Sequence, residues 1–204
     1  LSGLGELHIE VTLDRIRREF GLQVLVGAPS VTYRETITDT IESPGLVDYD
    51  RTIGGTRLQG AVHLILEPTR SGIPSPNSSS INLTDPVITV SEKAREFLGV
   101  DLEMPEDELL FKSEVLKALV EGCRGALKRG PLGPYAMANI TCHVVDVDAE
   151  AGRAGLMALP GALRAAAASA VSTTLGLNRD AVCSVLEPTM SVEVTVPNDM
   201  VGTV

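Results

Sequence analysis

The chain has 204 residues, 44% of them hydrophobic, and a net charge of −10. That size and composition suit one or two globular domains with a buried core, and with only 3% aromatics and no Trp the core must rest on Val, Leu, Ile and Ala. The acidic balance argues against binding nucleic acid through bulk electrostatics, leaving room for local arginines only, and no apolar run approaches the roughly 20 residues that span a bilayer.

Taken in chain order, Ile9, Leu13, Ile16 and Phe20 fall on one helical face, with charged residues on the others and Gly21 as a stop. Leu22–Val26 then reads as a short strand. This helix and strand cannot bury their apolar faces alone and so cannot make a domain by themselves. Val31–Ile41 is rich in β-branched residues and reads as a strand. Glu42–Arg57 reads as a loop, and Leu58–Glu67 alternates as a strand with one buried face. Arg70–Pro86, rich in Ser, Pro and Asn, reads as a long mobile loop with little to bury. Pro105 followed by Glu106, Asp107 and Glu108 marks a helix start. Leu116, Leu119, Val120, Cys123 and Leu127 give that helix its apolar stripe, and Lys128, Arg129 and Gly130 close it. Gly130–Tyr135 is a turn-rich connection, Met137–Asp146 a strand, and Gly161–Leu177 an alanine-dominated helix able to approach a sheet closely. Leu186–Val204 reads as a strand. The order predicts an α+β fold with helices on one face of a sheet. The expected divisions are 1–27, 28–185 and 186–204.

No catalytic constellation emerges from the residues. Gly54-Gly55-Thr56-Arg57 is too short for a phosphate-binding loop and lacks its lysine. His8 and Glu10 point to different helix faces, which speaks against a metal pair. His63 and His143 read as ordinary half-buried strand residues. Cys123, Cys142 and Cys183 form no C-x-x-C motif, and their odd number suits buried thiols in a reducing compartment.

LSGLGELHIEV (Leu1–Val11), APSVTYRETI (Ala28–Ile37) and VLEPTMSVEVTV (Val185–Val196) together resemble the elongation factor G family of translational GTPases, from the end of domain III through domain IV to the start of domain V. The resemblance implies a piece of a GTPase whose GTP and magnesium are held by an N-terminal domain outside this chain. The chain itself would hold no cofactor, metal or catalytic site. It also implies that the middle piece is a split βαβ domain with helices on one face of a mixed sheet, flanked by partial α/β segments of neighbouring domains, and that this elongated domain IV contacts the ribosome at its tip, including the RNA of the small subunit, with no membrane or DNA partner. The tip loops correspond to about 43–57 and 146–161. Arg51, Thr52, Gly54, Gly55 and Arg57 in the first, and Arg153, Pro160 and Gly161 in the second, are the expected contact residues. Arginine supplies a planar donor fork for phosphate, and glycine lets backbone N–H groups come close.

Two departures bear on the branch. Asp48 and Asp50 offset Arg51 and Arg57, and no histidine lies between Val144 and Leu177, whereas translocating members carry a basic first tip loop and a histidine in the second. DRTIGGTR (Asp50–Arg57) and LPGALRAAAASAVS (Leu159–Ser172) resemble the mitochondrial ribosome-recycling branch of the family. That branch works in the mitochondrial matrix with ribosome recycling factor to split post-termination ribosomes. The alternative is domain IV of a translocating member, cytoplasmic if bacterial.

Overall fold

The computed structural model describes residues 1, 3, 5–69, 83–98, 106–149 and 159–189, with side chains from 113 onward in the helix that starts at 106. The chain divides into two units, one of residues 1–32 with the segment from 188 onward, the other of residues 33–187.

In the first unit, α1 (Glu6–Phe20) ends at Gly21, whose φ of 64° is the left-handed stop that glycine adopts without strain. Ile9, Leu13 and Ile16 are half-buried, Phe20 is exposed, and no residue of the helix is fully buried. Its charged flank is laced by Arg15–Glu19 and Asp14–Arg18 pairs at 3.0 Å, one helical turn apart. The strand expected at Leu22–Val26 does not form; residues 21–30 have no regular structure. Local β-propensity cannot make a strand without a paired neighbour to take its N–H and C=O groups.

The second unit contains β1 (Arg34–Ile37), β2 (Ile41–Glu42), β3 (Val47–Ile53), β4 (Thr56–Pro68), β5 (Val87–Val90), α2 (Glu92–Phe97), α3 (Glu106–Leu127), β6 (Ala136–Met137), β7 (Ile140–Asp148), α4 (Leu159–Leu177), α5 (Arg179–Val182) and β8 (Cys183–Leu186). The α+β class is as expected. The strands form a three-stranded sheet, β6-β1-β8, and a five-stranded one in which β4 pairs β2 and β3 on one side and β7 on the other, with β5 beyond β7. β1–β6 and β5–β7 are parallel and the remaining pairs antiparallel, so both sheets are mixed. The single strand expected over Val31–Ile41 is two, because β1 belongs to the small sheet and β2 to the large one. The chain turns between them at Thr38, whose N–H donates to the Val182 carbonyl at 3.0 Å. Likewise the strand expected from Met137 breaks at Asn139, which holds a φ of 57°. Asn139 Oδ1 accepts from the Thr84 N–H (2.7 Å) and hydroxyl (2.9 Å), while its carbonyl accepts from the Thr69 N–H (2.8 Å). The expected loop at 70–86 lies outside the described residues except for 83–86, as do Pro105 and the 190–204 part of the last expected strand.

The core lies between the large sheet and the pair α3–α4. Val62, Leu64 and Leu66 of β4 and Ile140, Cys142 and Val144 of β7 point inward at alternate positions and are fully buried. Leu119, Cys123 and Leu127 of α3, and Leu163, Ala166, Ala167, Ala170 and Val171 of α4, cover them. Small residues set the spacing. A Cβ added at Gly122 of α3 would collide with the Arg164 carbonyl of α4, and one at Gly60 of β4 would lie 3.5 Å from the Ala166 Cβ. Burying Ala in place of larger residues forfeits apolar area per side chain but lets backbones approach closely. Replacing Ala166 with Leu should therefore overpack this contact and destabilise the chain by about 1–3 kcal/mol, measured by urea denaturation; stability equal to wild type would refute the close approach.

In the small sheet, Glu35 is completely buried, yet its carboxylate is not left unpaired. It accepts from the backbone N–H groups of Leu132 (2.9 Å) and Gly133 (2.8 Å), and a Cβ at Gly130 would collide with it. The turn after α3 is thus wrapped around a β1 side chain almost 100 residues away, at separations of 97 and 98. Glu35→Ala would strand those two donors and should cost about 2–4 kcal/mol. Hydrogen exchange at Leu132 and Gly133 should rise with it; unchanged protection at both would show that the carboxylate does not hold the turn.

Candidate functional site

The expected loop over Glu42–Arg57 is instead strand and hairpin. Val47–Ile53 runs antiparallel to Thr56–Val62, with Thr52 opposite Arg57 and Ile53 opposite Thr56. Gly54 and Gly55 form the two-residue turn, with φ of 58° and 82°. Positive φ at both central positions is the type I′ hairpin connection, whose twist matches that of the strands. The glycines are required by the turn before any ligand is considered. Ser43 fixes the other end of β3. Its N–H donates to the Leu64 carbonyl (2.9 Å), and its hydroxyl accepts from the Leu64 N–H (3.1 Å) and donates to the Gly45 carbonyl (2.7 Å). This bend lets β2 and β3 share one edge of β4.

The hairpin has two faces. Tyr49 lies opposite Gly60, and Arg51 opposite Leu58; Gly60 faces α4, so these residues form the helix-facing side. The Arg51 guanidinium stands 5.8 Å from the centre of the Tyr49 ring, within cation–π range. On the other side Asp50 and Arg57 form an ion pair with each half exposed. Thr52 is exposed beside them. That outer side also carries Asp48 and Asp148, which flank Ala61 from the two neighbouring strands. A recess of about 300 Å³ is lined by Asp48, Asp50, Gln59 and Asp148 among others. Asp148 carries no signal in the sequence that would single it out; its place follows only from the register of β7 against β4.

α4 begins at Leu159, so Pro160 sits in its first turn, where a missing N–H costs nothing. A Cβ at Gly161 would lie 3.8 Å from Leu58 Cδ2, which seats the start of α4 against the hairpin. Arg51, Thr52, Gly54, Gly55, Arg57, Pro160 and Gly161 are therefore gathered at one end of the large sheet from segments about a hundred residues apart in sequence. Arg153 lies outside the described residues.

Elsewhere the two strand histidines are paired within the sheet. His63 pairs with Glu42 at 2.8 Å, and His143 meets Thr89 at 2.6 Å and Glu67 at 3.3 Å on the outer face of the sheet. The Cys142 thiol is held far above its ordinary pKa, chiefly by its hydrogen bond with Cys123 and then by burial. Burial, then the charge of Glu35, also raises Cys183. Among the described residues no group of three His, Cys, Asp or Glu is placed to hold a metal ion, and no described helix is long and apolar enough to cross a membrane.

Beside the hairpin, β7 carries a bulge where the partner of β4 jumps from Asp146 to Val144. Ser91 closes it: its hydroxyl donates to the Val145 carbonyl (2.6 Å) and accepts from the Ala94 N–H (3.1 Å), capping α2. Lys93 of α2 then reaches Asp146 and, by that hydrogen bond above all, holds its carboxyl below the usual carboxylate range, with burial opposing. A carboxyl depressed in the folded state adds stability above its unfolded pKa of about 3.9, lost as pH falls through the folded value. Lys93→Ala should raise the Asp146 pKa in a carboxyl NMR titration and move acid unfolding to higher pH. Since Lys93 is largely exposed, stability at neutral pH should change by less than about 1 kcal/mol. An unmoved Asp146 titration would refute the pairing.

No protein-family model matches the chain. Relatives do. Elongation factor G of Thermotoga maritima is 31% identical over 204 residues, and that of Ureaplasma parvum 33% over 213, each alignment covering 100% of this chain and 25% of the relative. Elongation factor G 2 of Syntrophus aciditrophicus is 30% identical with the same coverage. A crystal structure from Thermus thermophilus matches 90% of this chain and 22% of its own, with a TM-score of 0.52 and 23% identity, and so shares the fold. The chain spans about a quarter of the length of the curated relatives it matches. Homologues of elongation factor G thus cover the whole of this chain at about 30% identity.

Proposed function

We propose that the chain is the ribosome-contacting arm of a translational GTPase: the end of domain III (1–27), domain IV (28–185) and the first strand of domain V (186–204). GTP and magnesium would bind in a domain outside it. Within the family we assign it to the recycling branch, that of mitochondrial ribosome-releasing factor 2, also called mitochondrial elongation factor G2. There it would act in the matrix with ribosome recycling factor to split post-termination ribosomes, the arm supplying shape and contact rather than bond chemistry.

The observation that supports this branch is the internal neutralisation of the hairpin. Arg57 is paired with Asp50, Arg51 lies over Tyr49, and Asp48 and Asp148 stand beside them. Such a tip offers little net charge to phosphates but suits a protein partner, where fewer charges must be neutralised on contact. A second reading, the same arm in a translocating factor, draws support from the relatives, which carry the name elongation factor G.

Light scattering separates the two readings. In the full-length protein containing this chain, Arg51→Glu with Arg57→Glu should slow subunit splitting with recycling factor present by about tenfold or more, as expected when charges at a contact are reversed. Circular dichroism should stay unchanged, because exposed hairpin charges contribute little to stability. Splitting left intact alongside abolished translocation would replace the recycling reading with the translocating one.

A further inference from the structure

If the hairpin cations are internally committed, cations free to meet phosphate lie elsewhere. They lie along α3. Lys117 and Arg124 are both exposed, seven residues apart and so on one side of the helix, and exposed Lys128 and Arg129 follow just past its end at Leu127. At 1.5 Å per residue the helical part of the row, from Lys117 to Arg124, is about 10 Å long. Among the described residues none of these four takes part in an ion pair. Glu121, which would interrupt the row, is neutralised by Arg164 of α4. Glu114 is the remaining acid of that side among the described residues. Against a chain with a net charge of −10 this is a local reversal of sign.

Cations in or just beyond a last helical turn also stabilise the helix dipole, which accounts in part for Arg124 in that turn and Lys128 just after it. It does not account for Lys117, ten residues before the end of α3 and beyond the reach of that effect.

From this we propose that the exposed side of α3 is a second contact surface, one that takes the sugar–phosphate backbone of RNA. Choosing RNA over other polyanions rests on the ribosomal reading above. The row carries no aromatic residue, so it offers no platform for stacking bases. Contact would be with backbone charge, independent of nucleotide sequence, and would position the arm rather than read a site.

The test uses this chain and a fluorescently labelled short RNA duplex, followed by anisotropy at low and rising salt. Lys117→Gln, Arg124→Gln and Lys128→Gln together should weaken binding about tenfold and reduce the log–log salt slope by about two. Lys117→Arg with Lys128→Arg should bind as wild type does, and Arg51→Gln with Arg57→Gln, measured in parallel, should weaken binding less than the triple variant does. Should the triple variant lose its helical signal, Lys117→Gln alone carries the test, with an expected loss of about twofold to threefold. Three outcomes would overturn the proposal: undiminished binding by the stripe variants, an effect confined to the hairpin variants, or binding of poly-glutamate in place of RNA. Co-sedimentation with ribosomal subunits separates the two ideas. A chain that binds RNA through α3 but ignores ribosomal subunits sinks the ribosomal reading and leaves this surface standing. A chain that binds subunits with the stripe neutralised does the reverse.

Discussion

The approach of α4 to β4 and α3 is the contact on which the rest of the second unit depends. It is made by residues with almost nothing beyond Cβ: Gly60 on the sheet, Gly122 on α3, and Ala162, Ala166, Ala167 and Ala170 on α4. Dispersion between close backbones falls away within an ångström of separation, so the contact tolerates little change in side-chain volume. Because α4 lies flat on β4, its first turn arrives beside the β3–β4 hairpin. The candidate site is thus a by-product of core packing, its two halves brought together by the seating of α4 on the sheet.

That arrangement explains which parts were legible in the sequence. The two long helices were, because Leu116, Leu119, Cys123 and Leu127 repeat at helical intervals and the Ala162–Ala170 run has little else to be. β4 was, because Val62, Leu64 and Leu66 alternate cleanly. The β3 hairpin was not: Asp48, Asp50, Arg51 and Thr52 hide the alternation of Val47 and Tyr49 in a strand that is largely exposed. The Gly54–Gly55 pair is the signal for a two-residue turn, but without a visible strand on its N-terminal side it fits an irregular loop as well. α2 leaves little trace because one and a half turns give no periodicity to detect, although Ser91 with Glu92 after it is a recognisable cap. Leu22–Val26 fails in the opposite sense: its residues favour a strand, but a strand is a property of a pair.

For the site itself, composition revealed that the aspartates offset the arginines, and the fold revealed how. Asp50 and Arg57 are seven residues apart in the chain but diagonal neighbours across the hairpin, so their pairing follows from the I′ register. Sequence could not foresee that Arg51 would turn to the other face, toward Tyr49 and α4, nor that Asp148 would join the outer face. Both facts are set by which side of a strand each residue occupies, and a register change of one would exchange them.

The length of β4 has a mechanical consequence. Its 13 residues run unbroken from the hairpin turn to Pro68, a rod of about 43 Å at the usual rise of a strand. β3 pairs it from Thr56 to Val62 and β7 from Ala61 to Pro68, and the next residue, Thr69, is bonded to Asn139, which also grips Thr84. A thrust applied at the Gly54–Gly55 end would load many rungs of the ladder in shear at once, a geometry in which hydrogen bonds must fail together rather than one by one. The load would then pass into the Asn139 junction, where the ends of β4 and β7 meet the approach to β5. A lever needs a stiff shaft and an anchored heel, and in this chain one strand and one left-handed asparagine supply them.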